Sequence, residues 1–206
     1  MWITSAEARL GKTMAVVASI GTVVTFGIWV GLIGIQNSNY DPTWGALMNI
    51  VSFLQSFGFA FTVALSMKLF GADAKPYFRV VSQIVFVGAI LNILLYLSPT
   101  ANANSVFPGQ FNASEVLAIS NVSQFGFFVM CGLWALTVLK ANSFGLLPSW
   151  GVIAGRGAGW LIIVAQATSL FGVLPASVFA PLYVLGGVIL WPIFVFGISN
   201  AFGKKV

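Results

Sequence analysis

Asn49, Ser52, Gln55, Ser56, Thr62 and Ser66 recur within one long apolar run. At about 100° per residue along a helix, they fall within an arc of roughly 140°. The opposite side carries Ile50, Val51, Phe53, Leu54, Phe57, Phe61, Ala64 and Leu65. Later apolar runs add two amides, Asn92 and Gln124. Amides and hydroxyls donate and accept hydrogen bonds but do not exchange protons near neutral pH. Two uses suit them. They can tie helices together in an apolar medium, at about 1 kcal/mol or less per bond. They can also line a pocket for a small neutral or lipid-like molecule, near Gln55, Asn92 and Gln124. Such a pocket would open toward the uncharged stretch that holds Asn102 and Asn104.

Other chemistry is missing. The chain has no histidine, which excludes Ser-His-Asp and Cys-His catalysis and His-ligated haem, along with most zinc sites. The carboxylates are Glu7, Asp41, Asp73 and Glu115, all in predicted loops or at helix ends. None is paired for acid–base work. No lysine or ion pair sits mid-span for a Schiff base or proton relay, and no charged ring or filter motif points to an ion channel. Phosphate-loop, dinucleotide and CxxC motifs are absent. Cys131 is the single cysteine and lies in an apolar run, which suits a small packing residue. The expectation is a protein that is not an enzyme and holds no metal or cofactor.

The elements that position the polar stripe follow from composition. The 206 residues are 59% hydrophobic and 6% charged, with a mean hydropathy of +0.99. A water-soluble domain of this size cannot cover its surface with so few charges. The apolar runs are about twenty residues long, the length of a helix across a hydrocarbon core of roughly 30 Å. The predicted fold is all-α: a polytopic membrane protein with six transmembrane helices forming a single domain over residues 1–206. The helices are expected at about 13–35, 45–70, 78–97, 114–140, 148–173 and 178–202. Residues 1–12 are expected to form an amphipathic collar on the inner surface. The stripe lies on the second helix and is expected to face the third and fourth, with the pocket between these three. A kink is expected near Pro192 in the sixth.

Charge sets the orientation. The net charge is +5, but the nine basic residues are spread along the chain, so a nucleic-acid partner is rejected. On the six-helix layout, Arg9, Lys12, Lys68, Lys75, Arg79, Lys140, Arg156, Lys204 and Lys205 all fall on one face. The positive-inside rule then puts both termini in the cytoplasm. Small residues mark helix contacts: Gly27 and Gly31 in the first helix, and Gly151, Gly155 and Gly159 in the fifth.

Leu147-Pro148-Ser149-Trp150-Gly151-Val152-Ile153-Ala154-Gly155 enters the fifth helix. This stretch and the compact layout resemble a bacterial family of small six-helix integral membrane proteins of unknown function. In that family a Leu-Pro, then Leu-Gly stretch opens the same late helix. The resemblance implies a location in the bacterial plasma (inner) membrane and no established activity, and it carries over no functional residue. From the sequence, the leading expectation is a non-enzymatic accessory or structural subunit, or a homo-oligomer, acting through helix packing. Its partners would be the lipid bilayer and other membrane subunits or itself. The alternative is a binding or transport protein that uses the polar pocket.

Overall fold

The computed structural model describes residues 3–28, 42–97, 113–170 and 175–206. Within helices, the side chains of 42–46, 48, 49, 94–97, 113–125, 167–170, 176 and 179 lie outside that description. Every element among the described residues is helical. α1 spans Ser5–Ile28, α2 Pro42–Leu69, α3 Pro76–Leu97, α4 Ala113–Ala141 and α5 Ser149–Leu170. The last run has three pieces: α6 over Ala176–Tyr183, a π-helical segment over Val184–Leu190, and α7 over Trp191–Gly203. Among the described residues, four stretches are long and apolar enough to cross a membrane: Ser5–Ile28, Ile50–Leu69, Pro76–Ile93 and Ala180–Gly203.

Local chemistry sets the helix ends. The backbone N–H of Thr4 donates to Glu7 Oε2 at 2.9 Å, and that of Glu7 donates to Thr4 Oγ1 at 3.2 Å. This reciprocal cap satisfies two donors that a helix start otherwise leaves open. It begins α1 at Ser5 and absorbs the predicted surface collar into the first helix. Pro42 and Pro76 are the first residues of α2 and α3, where a missing N–H costs nothing. Pro148 was expected to be the first residue of the fifth helix. Instead it precedes α5, and its carbonyl accepts the N–H of Val152 at 3.0 Å. After α2 the chain turns at Gly71, whose φ of 69° suits glycine.

Packing follows chain order around a closed ring. α1 packs on α2, α2 on α3, α3 on α4 and α4 on α5; α5 packs on the last run, and α7 returns to α1. The short connections at 70–75 and 142–148 force antiparallel neighbours. One end of the ring gathers Glu7, Lys68, Lys75, Lys140 and Lys204 and is called the basic end below. There Glu7 pairs with Lys68 across α1 and α2. The Lys75 ammonium donates to the carbonyls of Phe70 at 2.8 Å and Ala141 at 2.6 Å. Both carbonyls lie at the helix ends, after α2 and at the end of α4, and that of Ala141 also accepts the Ser143 N–H at 2.8 Å. Lys140 stands 4.7 Å over the Tyr77 ring. Behind this layer Phe70, Phe78, Trp134, Phe194 and Phe202 are fully buried. The outer surface carries Ile20, Ile50, Leu54, Val87, Leu91, Ile153 and Ile189 exposed, as a lipid-facing surface requires.

Candidate functional site

Halfway along the ring the aromatic filling stops and a cavity of about 470 Å³ begins. It lies toward the end opposite the basic one, and every helical run of the ring contributes to its lining. α1 supplies Ala18, Thr22, Thr25 and Phe26; α2 supplies Ser52, Gln55, Ser56 and Phe59; α3 supplies Asn92. α4 adds Phe127, Phe128 and Cys131, α5 adds Ile162, and the last run adds Tyr183, Gly187, Val188 and Trp191. Hydroxyls and amides therefore crowd the side made by α1, α2 and α3. Aromatic rings dominate the side made by α4 and the last run.

The rings form a connected wall and floor. Phe59 meets Phe127 at 6.3 Å, Phe127 meets Phe128 at 5.9 Å, and Phe128 meets Tyr183 at 5.9 Å. Toward the basic end, Phe59 and Trp191 each pack on Trp134, at 5.4 and 6.0 Å, and Trp134 packs edge-on against Phe194 at 5.9 Å. Edge-to-face pairs of this kind are favoured over parallel sandwiches. The indole Nε1 of Trp134 is buried and has no hydrogen-bond partner among the described residues.

Hydrogen-bond accounting separates the polar residues into two groups. Thr62 and Ser66 donate within α2, to Gly58 O at 2.7 Å and Val63 O at 2.7 Å. Gln55 is held by α1: its Nε2 donates to Thr22 Oγ1 at 3.0 Å, and its Oε1 accepts from Thr25 Oγ1 at 3.2 Å. Ser52 lies 3.4 Å from the same Thr25 hydroxyl. Asn92 and Ser56 form the second group. They are 9% and 8% exposed, line the cavity, and make no side-chain hydrogen bond among the described residues. In an apolar interior such groups are costly unless a ligand or water meets them.

The placement differs from the sequence expectation in one respect. The stripe was expected to find its partners on the third and fourth helices, but the bonds of Gln55 go to α1. The reason is spacing: Thr22 and Thr25 sit beside Gly21, where α1 and α2 approach most closely. A Cβ added at Gly21 would lie 2.7 Å from Gln55 Cβ, and one at Gly58 would lie 2.8 Å from Met14 O. Thr22 and Thr25, two hydroxyls three residues apart in an apolar run, were the signal available for this contact.

The remaining predicted residues are distributed as follows. The side chains of Asn49 and Gln124, and all of Gly31, lie outside the described residues, as do Asn102 and Asn104. Gly27 is exposed, and a Cβ there meets no heavy atom within 4 Å. The ridge on α5 is occupied from within the chain. A Cβ at Gly155 would lie 2.5 Å from Phe194 Cδ2, one at Gly159 2.8 Å from Leu136 Cδ2, and one at Gly151 3.3 Å from Gly197 Cα.

The π-helical segment forms part of the cavity wall. Pro192 cannot donate to the carbonyl of Val188, and its ring crowds that carbonyl. A wider turn just before the proline relieves both problems, and such turns recur at functional sites. The segment ends where Ser19 Oγ donates to Pro192 O at 2.8 Å, joining α1 to α7.

Among the described residues, the lining offers hydrogen bonds, rings and one thiol, but no carboxylate, ammonium or guanidinium. No group of three or more potential metal ligands occurs among the described residues. The arrangement suits an uncharged guest with one polar and one apolar side. No family model, curated protein or solved structure matches the chain.

Proposed function

We propose that the protein is a non-enzymatic integral membrane protein that binds a small uncharged molecule of mixed polarity in the cavity at the centre of its helix ring. The observation that carries this reading is the pair of buried polar groups on Asn92 and Ser56, which make no side-chain hydrogen bond among the described residues and face a cavity whose opposite wall is aromatic. The proposal includes six spans, both termini in the cytoplasm, and a location in a bacterial plasma (inner) membrane. These rest on the one-sided distribution of basic residues and on the resemblance at Leu147–Gly155.

The accessory-subunit or homo-oligomer reading draws less support. Its motivating ridge at Gly151, Gly155 and Gly159 packs against α4 and α7 of the same chain, so it is not free to receive another subunit. Native mass spectrometry after mild detergent extraction tests the preferred reading. Wild-type protein is expected to carry a bound small molecule that Asn92→Leu protein loses while keeping its helical content. Wild-type protein that is bare in every extraction, or a variant that retains the same bound mass, would sink the proposal.

A further inference from the structure

A second concavity lies on the outside of the ring, between α1 and the last run. It measures about 410 Å³ and is lined by Ser19, Val23, Val188, Ile189, Pro192, Ile193 and Phe196. It is apolar except for Ser19, whose hydroxyl is engaged by Pro192 O. Val188 lines both this groove and the central cavity. α1 shows the same division, since Ser19 and Val23 face the groove while Ala18 and Thr22 face the cavity.

Toward the basic end this seam is closed. Ser199 Oγ donates to Lys12 O at 3.1 Å, a Cβ at Gly11 would lie 2.6 Å from the Phe202 ring, and the Ser19–Pro192 bond tops the contact. Beyond that bond the π-helical segment faces α1. Gly186 is turned to α5, where a Cβ would lie 2.7 Å from Leu161 Cβ, and Gly187 has no side chain to fill the wall. Val188 is the residue common to both spaces.

Resting on the binding reading above, we infer that this seam is a lateral portal. An uncharged, single-chain amphiphile enters from the bilayer at Val188, places its hydrogen-bonding head beside Asn92 and Ser56, and leaves its hydrocarbon tail in the groove. The chemistry of the two spaces selects this occupant. The groove is apolar and lies on the surface suited to lipid. The cavity supplies the amide of Asn92 and the hydroxyl of Ser56, neither of which makes a side-chain hydrogen bond among the described residues. Among the described residues neither space has a charged side chain in its lining, so an ionised phosphate or carboxylate head would meet no counter-charge there. The π-helical turn allows the wall to be thin, because its glycines leave one valine between inside and outside.

The test uses full-length protein in phosphatidylcholine vesicles, with a monoacylglycerol bearing a diazirine near its head as the probe. Cross-linked residues are mapped by mass spectrometry. Saturable labelling of cavity residues is expected, competed by unlabelled monoacylglycerol. Val188→Trp should abolish it, and Asn92→Leu should weaken probe affinity by about tenfold. Val188→Ala, a milder change, should speed labelling and keeps the test decisive if the tryptophan variant does not fold. Cavity labelling that is weakened by Asn92→Leu but unchanged in rate by Val188→Ala and Val188→Trp would overturn the portal and leave the binding reading standing. Labelling confined to the outer surface, and equal to that from a diazirine phosphatidylcholine, would overturn both.

Discussion

The two halves of the ring solve the same packing problem in opposite ways. At the basic end large rings fill the centre, with Phe70, Phe78, Trp134, Phe194 and Phe202 fully buried. Glycines on α4, α5 and α7 bring backbones close enough for those rings to fit. In the other half, the centre is left open and hydroxyls and amides stand around the space. The same six runs build both halves, so the difference comes from side chains rather than from helix spacing alone. Polar residues in an apolar bundle are costly to leave unpaired. They line the cavity more densely than the filled half, although Ser82 Oγ and Trp134 Nε1, outside the cavity lining, are also buried without a partner among the described residues.

The largest expected effect strikes the filled half. Trp134→Ala removes the ring on which Phe59, Trp191 and Phe194 pack, and should cost about 3–5 kcal/mol of stability. Denaturant unfolding in detergent measures it, and a loss below about 1 kcal/mol would mean that this half is not close-packed.

Next comes the ridge. Gly155→Val should cost about 1–3 kcal/mol, because its Cβ would meet the Phe194 ring. Gly27→Ala, with no described heavy atom within 4 Å of its Cβ, should stay within about 0.5 kcal/mol of wild type. Comparable losses at both positions would erase the distinction between an engaged and an open glycine.

The smallest effect concerns the polar wall itself. Gln55→Leu removes two bonds between α1 and α2 and should cost about 1 kcal/mol. It should leave the bound molecule in place, in contrast to Asn92→Leu. If native mass spectrometry shows that the Gln55 variant also loses its guest, the division between structural and guest-facing amides is wrong.

Much of the scaffold was readable from residue order. Long apolar runs separated by polar turns place the helices, since run length acts locally. The start of α1 was also written locally, in Thr4-Ser5-Ala6-Glu7, but the three charges in residues 1–12 drew attention to a surface collar instead. The polar stripe was visible as a pattern, yet its partners were not, because periodicity gives a face and not a neighbour. Thr22 and Thr25 escaped for that reason. Pro192 signals a disturbed helix, but whether the backbone kinks or widens depends on what packs against it, here Ser19 and Val188. The cavity was the least legible feature, since it is the space left over after six runs have packed and belongs to no single stretch of sequence.

Lys75 has a consequence for how the bundle can open. Its ammonium holds carbonyls belonging to Phe70 and Ala141, so it bridges α2 and α4 across the foot of α3. Splaying those helices at the basic end would break both bonds and uncover the rings stacked on Trp134. The opposite end has no equivalent fastening among its described residues. Opening the bundle from the basic end therefore costs at least these two charge-assisted bonds.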